Sequence, residues 1–353
     1  MKYLVNSSTD PFFNMAFDQW CLESLPLDEP VFYLWRNRPA VIIGLNQNAF
    51  AEVNRPFLES RGIELVRRVT GGGAVYHDLQ NLNYTIVGRS VDMERDYPAY
   101  ASMMARALRR LGVPAELSGR NDITVGGRKV SGYAKRVWRD RLMVHGTLMY
   151  NVDIETLTLA LDVPGSKLHG KGVASVHSRV ANLREYLPGV KSVEDLQERL
   201  TDILAAMPGE TATDGEGSRR SIPAPGRHPV TGASHVHPIT LTPEQTGAVE
   251  DLARTRFRRW EWNWGRSPAG EITRQAHLPC GTLACGVSLR EGLVHDISFS
   301  GDFIGTLPPD AVVTVLQGCR YNHDDILGRL KAIPVAMYFD GTSPEALAAL
   351  ICP

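Results

Sequence analysis

The sequence predicts an α+β fold, with a mixed or largely antiparallel β-sheet flanked by helices and a small C-terminal α/β domain. Strand-like and helix-like runs follow each other without the regular alternation that marks a parallel α/β sheet. A run rich in Gly, Pro, Ser and Thr separates two parts of the 353-residue chain. That length suits two domains. We therefore expect a catalytic domain at 1–207, a flexible linker at 208–238 and an accessory domain at 239–353.

Composition narrows the class of protein. Hydrophobic residues make up 43% and charged residues 22% of the chain, as in ordinary globular proteins. A net charge of −1 argues against a surface that coats nucleic acid or a membrane. The five cysteines show no CxxC spacing, which favours reduced thiols over disulfides or a zinc site. There is no apolar run of membrane-spanning length and no signal-peptide pattern at the N-terminus. The sequence thus predicts a cytoplasmic protein without nucleic-acid or membrane partners.

The first domain is expected to begin with a short strand at Lys2–Ser8 and a helix. Asp10 is a good N-cap and Pro11 is tolerated in a first helical turn. Gly62 and Gly112 follow two further helical runs and predict their ends. Other strand-like runs lie at Val31–Leu45 (two strands), Ile63–Val69 and Asn81–Gly88.

The chain beyond Gly112 carries a hairpin signal and several helices. Gly126 and Gly127 stand between two strand-like runs, as in a two-residue β-hairpin. Helices are predicted within Val193–Met207 and Thr242–Phe257, with another at the C-terminal end. Tryptophans alternate through Trp260–Gly265, which predicts a strand with one aromatic face that packs in a core or against the other domain.

The stretch Arg67–Asp78 reads RRVTGGGAVYHD and combines two arginines with three consecutive glycines. Glycines free successive backbone N–H groups to form an anion-binding nest. Neighbouring residues of a strand point to opposite faces, so only one of Arg67 and Arg68 is expected to reach the anion, while the other faces solvent or a carboxylate. His77 and Asp78 should likewise point apart, which disfavours a direct acid–base dyad. The alternative is a glycine-rich hairpin with surface arginines.

Lys129 follows the Gly-Gly hairpin and shares a strand face with Ser131. If that face lines a pocket, the lysine supplies a positive charge for a phosphate or carboxylate; otherwise it is solvated. Asp122 precedes the same hairpin, where it either binds magnesium or an amine, or belongs to an ordinary turn. A run at Gly165–Gly172 fits G-x-x-x-x-G-K, but a glycine replaces the Ser or Thr of a nucleotide-binding P-loop. The histidines His228, His235 and His237 are a weak metal signal.

Together and in this order, RRVTGGGAVYHD, KVSGYA at Lys129–Ala134, and the C-terminal WEWNWG and LQGCRY resemble the bacterial two-domain lipoate–protein ligases. The resemblance implies the fold shared with biotin ligases and class II synthetase catalytic domains. It also implies a two-step reaction. ATP activates the carboxylate of lipoate as lipoyl-AMP with release of pyrophosphate. The lipoyl group then passes to one lysine of a lipoyl domain in a 2-oxoacid dehydrogenase E2 subunit or of the glycine-cleavage H protein.

The resemblance also implies residue roles. Lys129 is the catalytic positive charge that touches both the lipoate carbonyl and the phosphate. Magnesium accompanies ATP, with Asp122 as the candidate ligand. The implied ATP site comprises Arg68, Gly73, Ala74, Val75, Tyr76 and Lys129, and the implied lipoate site comprises Lys129, Gly72 and His77.

Three other functions remain open at this point. A lipoyl amidotransferase would share the site but use preformed lipoyl-AMP. An octanoyltransferase of the same fold needs a cysteine nucleophile in the pocket. Cys21 lies in an early helix and the other cysteines follow the linker, so none is expected there. A binding protein without turnover is the third alternative, although the glycine stretch and Lys129 are both intact.

Overall fold

A computed structural model of the chain describes residues 1–45, 47–90, 92–119, 121–161, 179–207, 238–267, 270–301, 303, 306–307 and 309–353. The glycine-rich run at 165–172, the linker up to residue 237 and the histidines His228, His235 and His237 lie outside these ranges, so their assignments stay predictions. Within the ranges, each helix is too short or too polar to span a lipid bilayer.

The main β-sheet is mixed, as predicted. In the described chain its strands lie in the order β11 (Pro238–Ile239), β1 (Lys2–Leu4), β2 (Val31–Trp35), β6 (Asn81–Arg89), β10 (Arg141–Met149), β9 (Arg128–Trp138), β8 (Asp122–Val125) and β7 (Glu116–Ser118). β1 runs parallel to β11 and β2, and every other neighbouring pair is antiparallel. Gly126 and Gly127, both at positive φ, form the predicted turn between β8 and β9.

A second, three-stranded sheet carries the glycine stretch. Its strands lie in the order β4 (Glu64–Arg67), β3 (Ala40–Ile43) and β5 (Val75–His77). β3 runs parallel to β4 and antiparallel to β5. The connection from β4 to β5 is the glycine loop, Arg68–Ala74, which therefore lies at the end of this small sheet.

The predicted helix boundaries at Asp10, Gly62 and Gly112 are confirmed in the first domain. The Asp10 carboxylate accepts from the Phe12 N–H at 3.0 Å and caps the first helix. Gly62 and Gly112 adopt φ of 61° and 89° at two helix ends, a conformation that glycine reaches without strain. The helices are α1 (Pro11–Ser24), α2 (Ala49–Glu52), α3 (Arg55–Arg61), α4 (Met93–Arg110), α5 (Ile154–Ala160), a 3-10 turn at Leu183–Glu185 and α6 (Val193–Ala205).

Both faces of the main sheet are covered, and the alternation along β2 shows how. Phe32 and Leu34 pack in the core formed with α4 and α6. Tyr33 and Trp35 point to the opposite face and pack with α1 and the small sheet. The space between the main sheet, α1 and the small sheet is where the candidate site forms.

The C-terminal part contains an antiparallel three-stranded sheet and helices. Its elements are α7 (Pro243–Leu252), π-helical turns at Ala253–Phe257 and Glu261–Gly265, β12 (Gly270–Leu278), β13 (Gly281–Arg290), β14 (Leu293–Gly301), α8 (Asp310–Leu316), α9 (His323–Leu330), α10 (Val335–Tyr338) and α11 (Pro344–Ile351). Residues Pro238–Ile239 pair with β1, and Phe257 is buried with α1 in the first domain's core. The division at residue 239 stays a prediction, and the hydrophobic core around α1 continues beyond it to Phe257.

The strand predicted at Trp260–Gly265 is wrong, because Glu261–Gly265 is a π-helical turn. In a helix, residues four positions apart share a face, so Trp260 and Trp264 pack together on the C-terminal core. The ring centroid of Trp264 lies 5.1 Å from that of Phe50. Trp262 instead packs against the core around α1, with its ring centroid 5.7 Å from that of Phe257. The predicted packing of these tryptophans in a core or against the other domain is confirmed, and both occur.

Candidate active site

A cavity opens between the main sheet, α1 and the glycine loop. Its walls come from strands β2, β3, β5, β6, β9 and β10, so residues distant in sequence meet there. The lining residues are Met15, Trp35, Ile42, Arg68, Gly73, Ala74, Val75, His77, Asn83, Asn121, Lys129, Gly132, Tyr133, Ala134, His145, Gly146 and Thr147. Most of the predicted site residues are therefore brought to one place.

Arg68 holds the glycine loop in shape. Its guanidinium donates to the carbonyls of Gly71 at 2.7 Å, Gly73 at 2.9 Å and Ile42 at 3.0 Å. Burial lowers the pKa of Arg68 to about 10, so it keeps its charge at neutral pH. The interpretation of a plain hairpin with surface arginines is wrong, because these donors organise a packed loop beside the cavity.

Arg67 points away from the cavity, as strand alternation predicts, but its expected solvent or carboxylate partner is wrong. The side chain is 0% exposed. Its guanidinium donates to the carbonyls of Gln47 at 2.6 Å, Asn263 at 2.9 Å, and Gly44 and Trp262 at 3.0 Å each. Burial and then the charge of Arg266 lower its pKa to about 10. Arg67 thus joins the first domain to the segment beginning the second.

Lys129 lies at the far wall of the cavity, on β9. Its Nζ is 2.8 Å from Asp122 Oδ1, and the two side chains are 36% and 35% exposed. Gly132 leaves room for the ammonium group, since a Cβ there would lie 2.9 Å from Nζ and would displace it. Ser131 does not share the cavity face, contrary to the prediction. A β-bulge inserts one extra residue between Lys129 and Ser131 and breaks the alternation.

Asp122 forms the ion pair with Lys129. Among the described residues, no group of three or more His, Cys, Asp or Glu side chains is placed to hold a metal ion. The role of Asp122 as a magnesium ligand beside ATP, which needs only one or two carboxylates, stays a prediction.

His77 lines the cavity from β5 and is only 3% exposed. Its ring lies 6.1 Å from that of Trp35. Burial, followed by the charges of Arg68 and His145, lowers the pKa of His77 to about 3, so the imidazole is neutral. Asp78 turns away and accepts from the backbone N–H groups of Gln80 and Asp153. The two residues form no dyad, as strand alternation predicts.

The remaining predicted residues divide between cavity and core. Gly73, Ala74 and Val75 line the cavity. Tyr76 points to the other face of the small sheet, where burial raises the pKa of its hydroxyl to about 12. Gly72 has φ of 96° and packs under Arg68 instead of lining the cavity.

Sequence reasoning missed a buried polar network behind the cavity. The Asp18 carboxylate accepts from the Tyr33 hydroxyl at 2.7 Å and the Thr85 hydroxyl at 3.0 Å, and its other oxygen is 2.7 Å from His145 Nδ1. His145 Nε2 lies 2.7 Å from Thr70 Oγ1. The available signal was Asp18 itself, a carboxylate in the middle of an apolar helix, where unpaired charges are costly.

All five cysteines are buried and free, and none lines the cavity. Burial, followed by the negative charge of Asp18, raises the pKa of the Cys21 thiol well above its usual value. Burial likewise raises the pKa values of Cys285, Cys319 and Cys352 to about 11. The described site therefore offers no thiolate for an acyl-cysteine intermediate.

Comparison with known proteins places this site in a family. The model of the lipoyl protein ligase A/B catalytic domain matches residues 10–205, and that of the bacterial lipoate protein ligase C-terminus matches 267–351. Lipoate-protein ligase LplJ of Bacillus subtilis is 32% identical over 99% of this chain and 100% of its own length. The chain belongs to the lipoate–protein ligases. Lipoate–protein ligase 1 of Staphylococcus aureus is 33% identical over the same shares of the two chains.

Solved structures confirm the predicted fold class of this ligase. A bipartite lipoate protein ligase from Thermoplasma acidophilum, described with its E2 lipoyl domain, has a TM-score of 0.61 at 24% identity and covers 76% of this chain and 97% of its own. The LipL1 protein of P. falciparum, in complex with lipoate, has a TM-score of 0.58 at 22% identity and covers 94% of both chains. At these identities the likeness concerns the fold alone.

Proposed function

We propose that this ligase activates lipoate with ATP to give lipoyl-AMP and pyrophosphate, and then transfers the lipoyl group to a lysine of a carrier protein. The observation that carries the proposal is the position of Lys129. Its charge lies at one end of a cavity whose adjoining wall is the Arg68-braced glycine loop. Full-length similarity to lipoate–protein ligases supports the same reaction.

Lys129 suits the activation step electrostatically. A carboxylate that attacks the α-phosphate brings two anions together, and a fixed positive charge at their junction stabilises the charge that develops. Asp122 holds the ammonium group in place at 2.8 Å. Lys129 acts as a charge and not as a covalent nucleophile.

The glycine loop supplies the nucleotide wall in this proposal. Backbone groups of Gly73, Ala74, Val75 and Tyr76 bind ATP, and Arg68 assists chiefly by fixing the loop carbonyls. Gly44 allows the loop to pack closely, since a Cβ there would lie 2.1 Å from the Gly72 carbonyl oxygen. A magnesium ion bound with ATP would supply further positive charge at the phosphates, with Asp122 as the candidate protein ligand.

The lipoyl chain lies along the main sheet. Lys129 is on β9 and Trp35 is on β2, with β10 and β6 between them. A carboxylate held at Lys129 therefore directs the chain across these strands towards Trp35 and His77. Met15 and Ile42 add apolar wall. Gly72 contributes indirectly, through the loop that closes the cavity.

We propose lipoyl domains of 2-oxoacid dehydrogenase E2 subunits and the glycine-cleavage H protein as acceptors, and the cytoplasm as the location. The similar Thermoplasma acidophilum ligase was described together with its E2 lipoyl domain, which supports the first acceptor. Incubation of the ligase with each purified acceptor, ATP and lipoate, followed by intact mass measurement, identifies which one gains a lipoyl group.

Lipoate-dependent exchange of labelled pyrophosphate into ATP tests the proposed reaction. The proposal expects exchange that requires lipoate and no acceptor protein. If the protein shows no exchange but transfers lipoyl from supplied lipoyl-AMP, it is an amidotransferase and the proposal is wrong. A lipoyl or octanoyl thioester on Cys21, seen by mass measurement, would instead support acyl-cysteine chemistry.

A further inference from the structure

A chain of three buried asparagines ends at His77. Asn6, Asn14 and Asn37 are 8%, 1% and 0% exposed. Asn6 Nδ2 donates to Asn14 Oδ1 at 3.0 Å, Asn14 Nδ2 to Asn37 Oδ1 at 2.8 Å, and Asn37 Nδ2 lies 3.0 Å from His77 Nδ1. Buried amides are costly unless they are hydrogen-bonded, so this chain is an organised element.

Backbone groups determine the direction of every bond in the chain. Asn14 Nδ2 also donates to the carbonyl oxygens of Ser8 and Arg36, each at 3.0 Å. Carbonyl oxygens only accept, so this end of the Asn14 amide must be its nitrogen. The Asn37 atom that faces it must then be the oxygen, which turns the Asn37 nitrogen towards His77.

The other end of the chain agrees. The backbone N–H of Ser8 donates to Asn6 Oδ1 at 3.1 Å. Because an N–H only donates, the Asn6 atom that faces Ser8 must be the oxygen. The Asn6 nitrogen therefore faces the Asn14 oxygen, in agreement with the orientation of Asn14. The assignment follows from donors and acceptors of fixed type at both ends.

The consequence is a single tautomer of His77. Its Nδ1 accepts from Asn37, so the proton of the neutral imidazole resides on Nε2. His77 Nε2 is buried and has no hydrogen-bond partner among the described residues, while the side chain lines the cavity. A hydrogen-bond donor is thus held, oriented and unpaired, at the cavity wall.

His77 lies beside Trp35, on the β2 side of the cavity, whereas Lys129 is on β9. Its neighbour Trp35 is on β2, three strand spacings from Lys129 on β9, which amounts to about 14 Å. Asn83 is paired with Trp35 across β2 and β6, lines the same side, and has a buried Nδ2 that is also unpaired in the described structure.

We propose that the Nε2–H of His77 donates a hydrogen bond to the dithiolane sulfur of lipoate, and that this bond makes the site prefer lipoate over octanoate. Asn37 and Asn14 act as positioning residues that fix the donor. The inference rests on the proposed function, since it requires the acyl carboxylate at Lys129. Sulfur is a weak acceptor, but an octanoyl chain ends in a methyl group that accepts nothing. Octanoate would leave the buried donor unpaired, which disfavours its binding.

Acyl-dependent pyrophosphate exchange measures this preference. For the wild type we expect kcat/KM for lipoate to exceed that for octanoate by about tenfold or more. His77→Phe removes the donor and keeps an aromatic ring. The ratio of kcat/KM for lipoate to that for octanoate should therefore fall towards one, mainly because kcat/KM for lipoate decreases. Asn37→Leu should narrow the ratio in the same direction. The control His295→Phe changes an exposed histidine of the C-terminal sheet and should keep the wild-type ratio.

Nitrogen-15 NMR of imidazole-labelled wild-type protein tests the tautomer without any substitution. We expect the His77 signals of an Nε2-protonated neutral ring down to about pH 4, and a shift of its Nε2–H proton with bound lipoate but not with octanoate. An Nδ1-protonated ring would overturn the inference, even if the variants prove unstable.

The two proposals fail differently. If neither acid supports exchange, the proposed function is wrong. If exchange occurs and His77→Phe lowers kcat/KM for lipoate and for octanoate by the same factor, only the proposed discrimination by His77 is overturned. The residue then merely shapes the cavity.

Discussion

Replacement of Arg67 tests whether this arginine joins the two parts of the ligase. Arg67→Met keeps most of the side-chain volume but removes every N–H donor. The guanidinium of Arg67 donates to five backbone carbonyls and to Ser267 Oγ, from both sides of the contact. Because the side chain is fully buried, water cannot readily replace those donors.

The expected cost follows from the bonds lost. Removing one partner of a buried charged network typically destabilises by about 3–5 kcal/mol. For a domain of this size each kcal/mol corresponds to a few degrees, so the melting temperature should fall by about 6–20 °C. Thermal unfolding followed by circular dichroism measures the change.

A matched control separates this effect from the general loss of an arginine. Arg254→Met removes an arginine that is 71% exposed and pairs with Asp251, so its melting temperature should stay within about 2 °C of the wild type. If Arg67→Met and Arg254→Met shift the melting temperature equally, the reasoning about Arg67 is refuted.

Three further substitutions test the site. Gly132→Ala places a Cβ 2.9 Å from Lys129 Nζ and should lower the exchange rate by about 10–100-fold with an unchanged circular dichroism spectrum; wild-type exchange would contradict it. Gly44→Ala meets the Gly72 carbonyl at 2.1 Å and should destabilise by about 1–3 kcal/mol in urea unfolding, and an unchanged midpoint would count against the packed loop. The pKa of His77 is about 3 in the folded protein, against an ordinary value of 6.5. As pH falls below 6.5, the unfolded chain therefore binds a proton at this residue while the folded protein does not. The free energy of unfolding should decrease from pH 6.5 towards pH 3, by roughly 2 kcal/mol at pH 5. In His77→Phe the decline of unfolding free energy between pH 7 and pH 5 should be shallower, and identical slopes would argue against a buried neutral His77.

Much of the fold could be predicted because its signals are local. Asp10, Gly62 and the Gly126-Gly127 turn act within a few residues of where they stand, and each lies at the predicted boundary. The strand predicted at Trp260–Gly265 was wrong because the same tryptophan positions fit both the period of two of a strand and the spacing of four of a helix. Contacts with two separate cores decided between them.

The sequence predicted most of the residues that line the site, but not the buried residues that hold them in place. Strand alternation correctly separated Arg67 from Arg68, but the carbonyls that Arg67 binds come from residues as far away as Asn263. Asn37 and Asp18 gave no motif, since their partners are fixed only by long-range packing. A single sequence shows which groups are chemically capable, whereas the folded chain shows which of them are buried together.

The rate of pyrophosphate exchange by Lys129→Ala shows whether Lys129 supplies the positive charge for activation of lipoate. Wild-type protein should exchange pyrophosphate into ATP when lipoate is present, and so should Lys331→Ala, which changes an exposed lysine paired with Glu345. Lys129→Ala should fold normally, as judged by circular dichroism, and show no lipoate-dependent exchange. Exchange at the wild-type rate by Lys129→Ala would rule out this role of Lys129, because the charge at the junction of carboxylate and phosphate would then come from another residue.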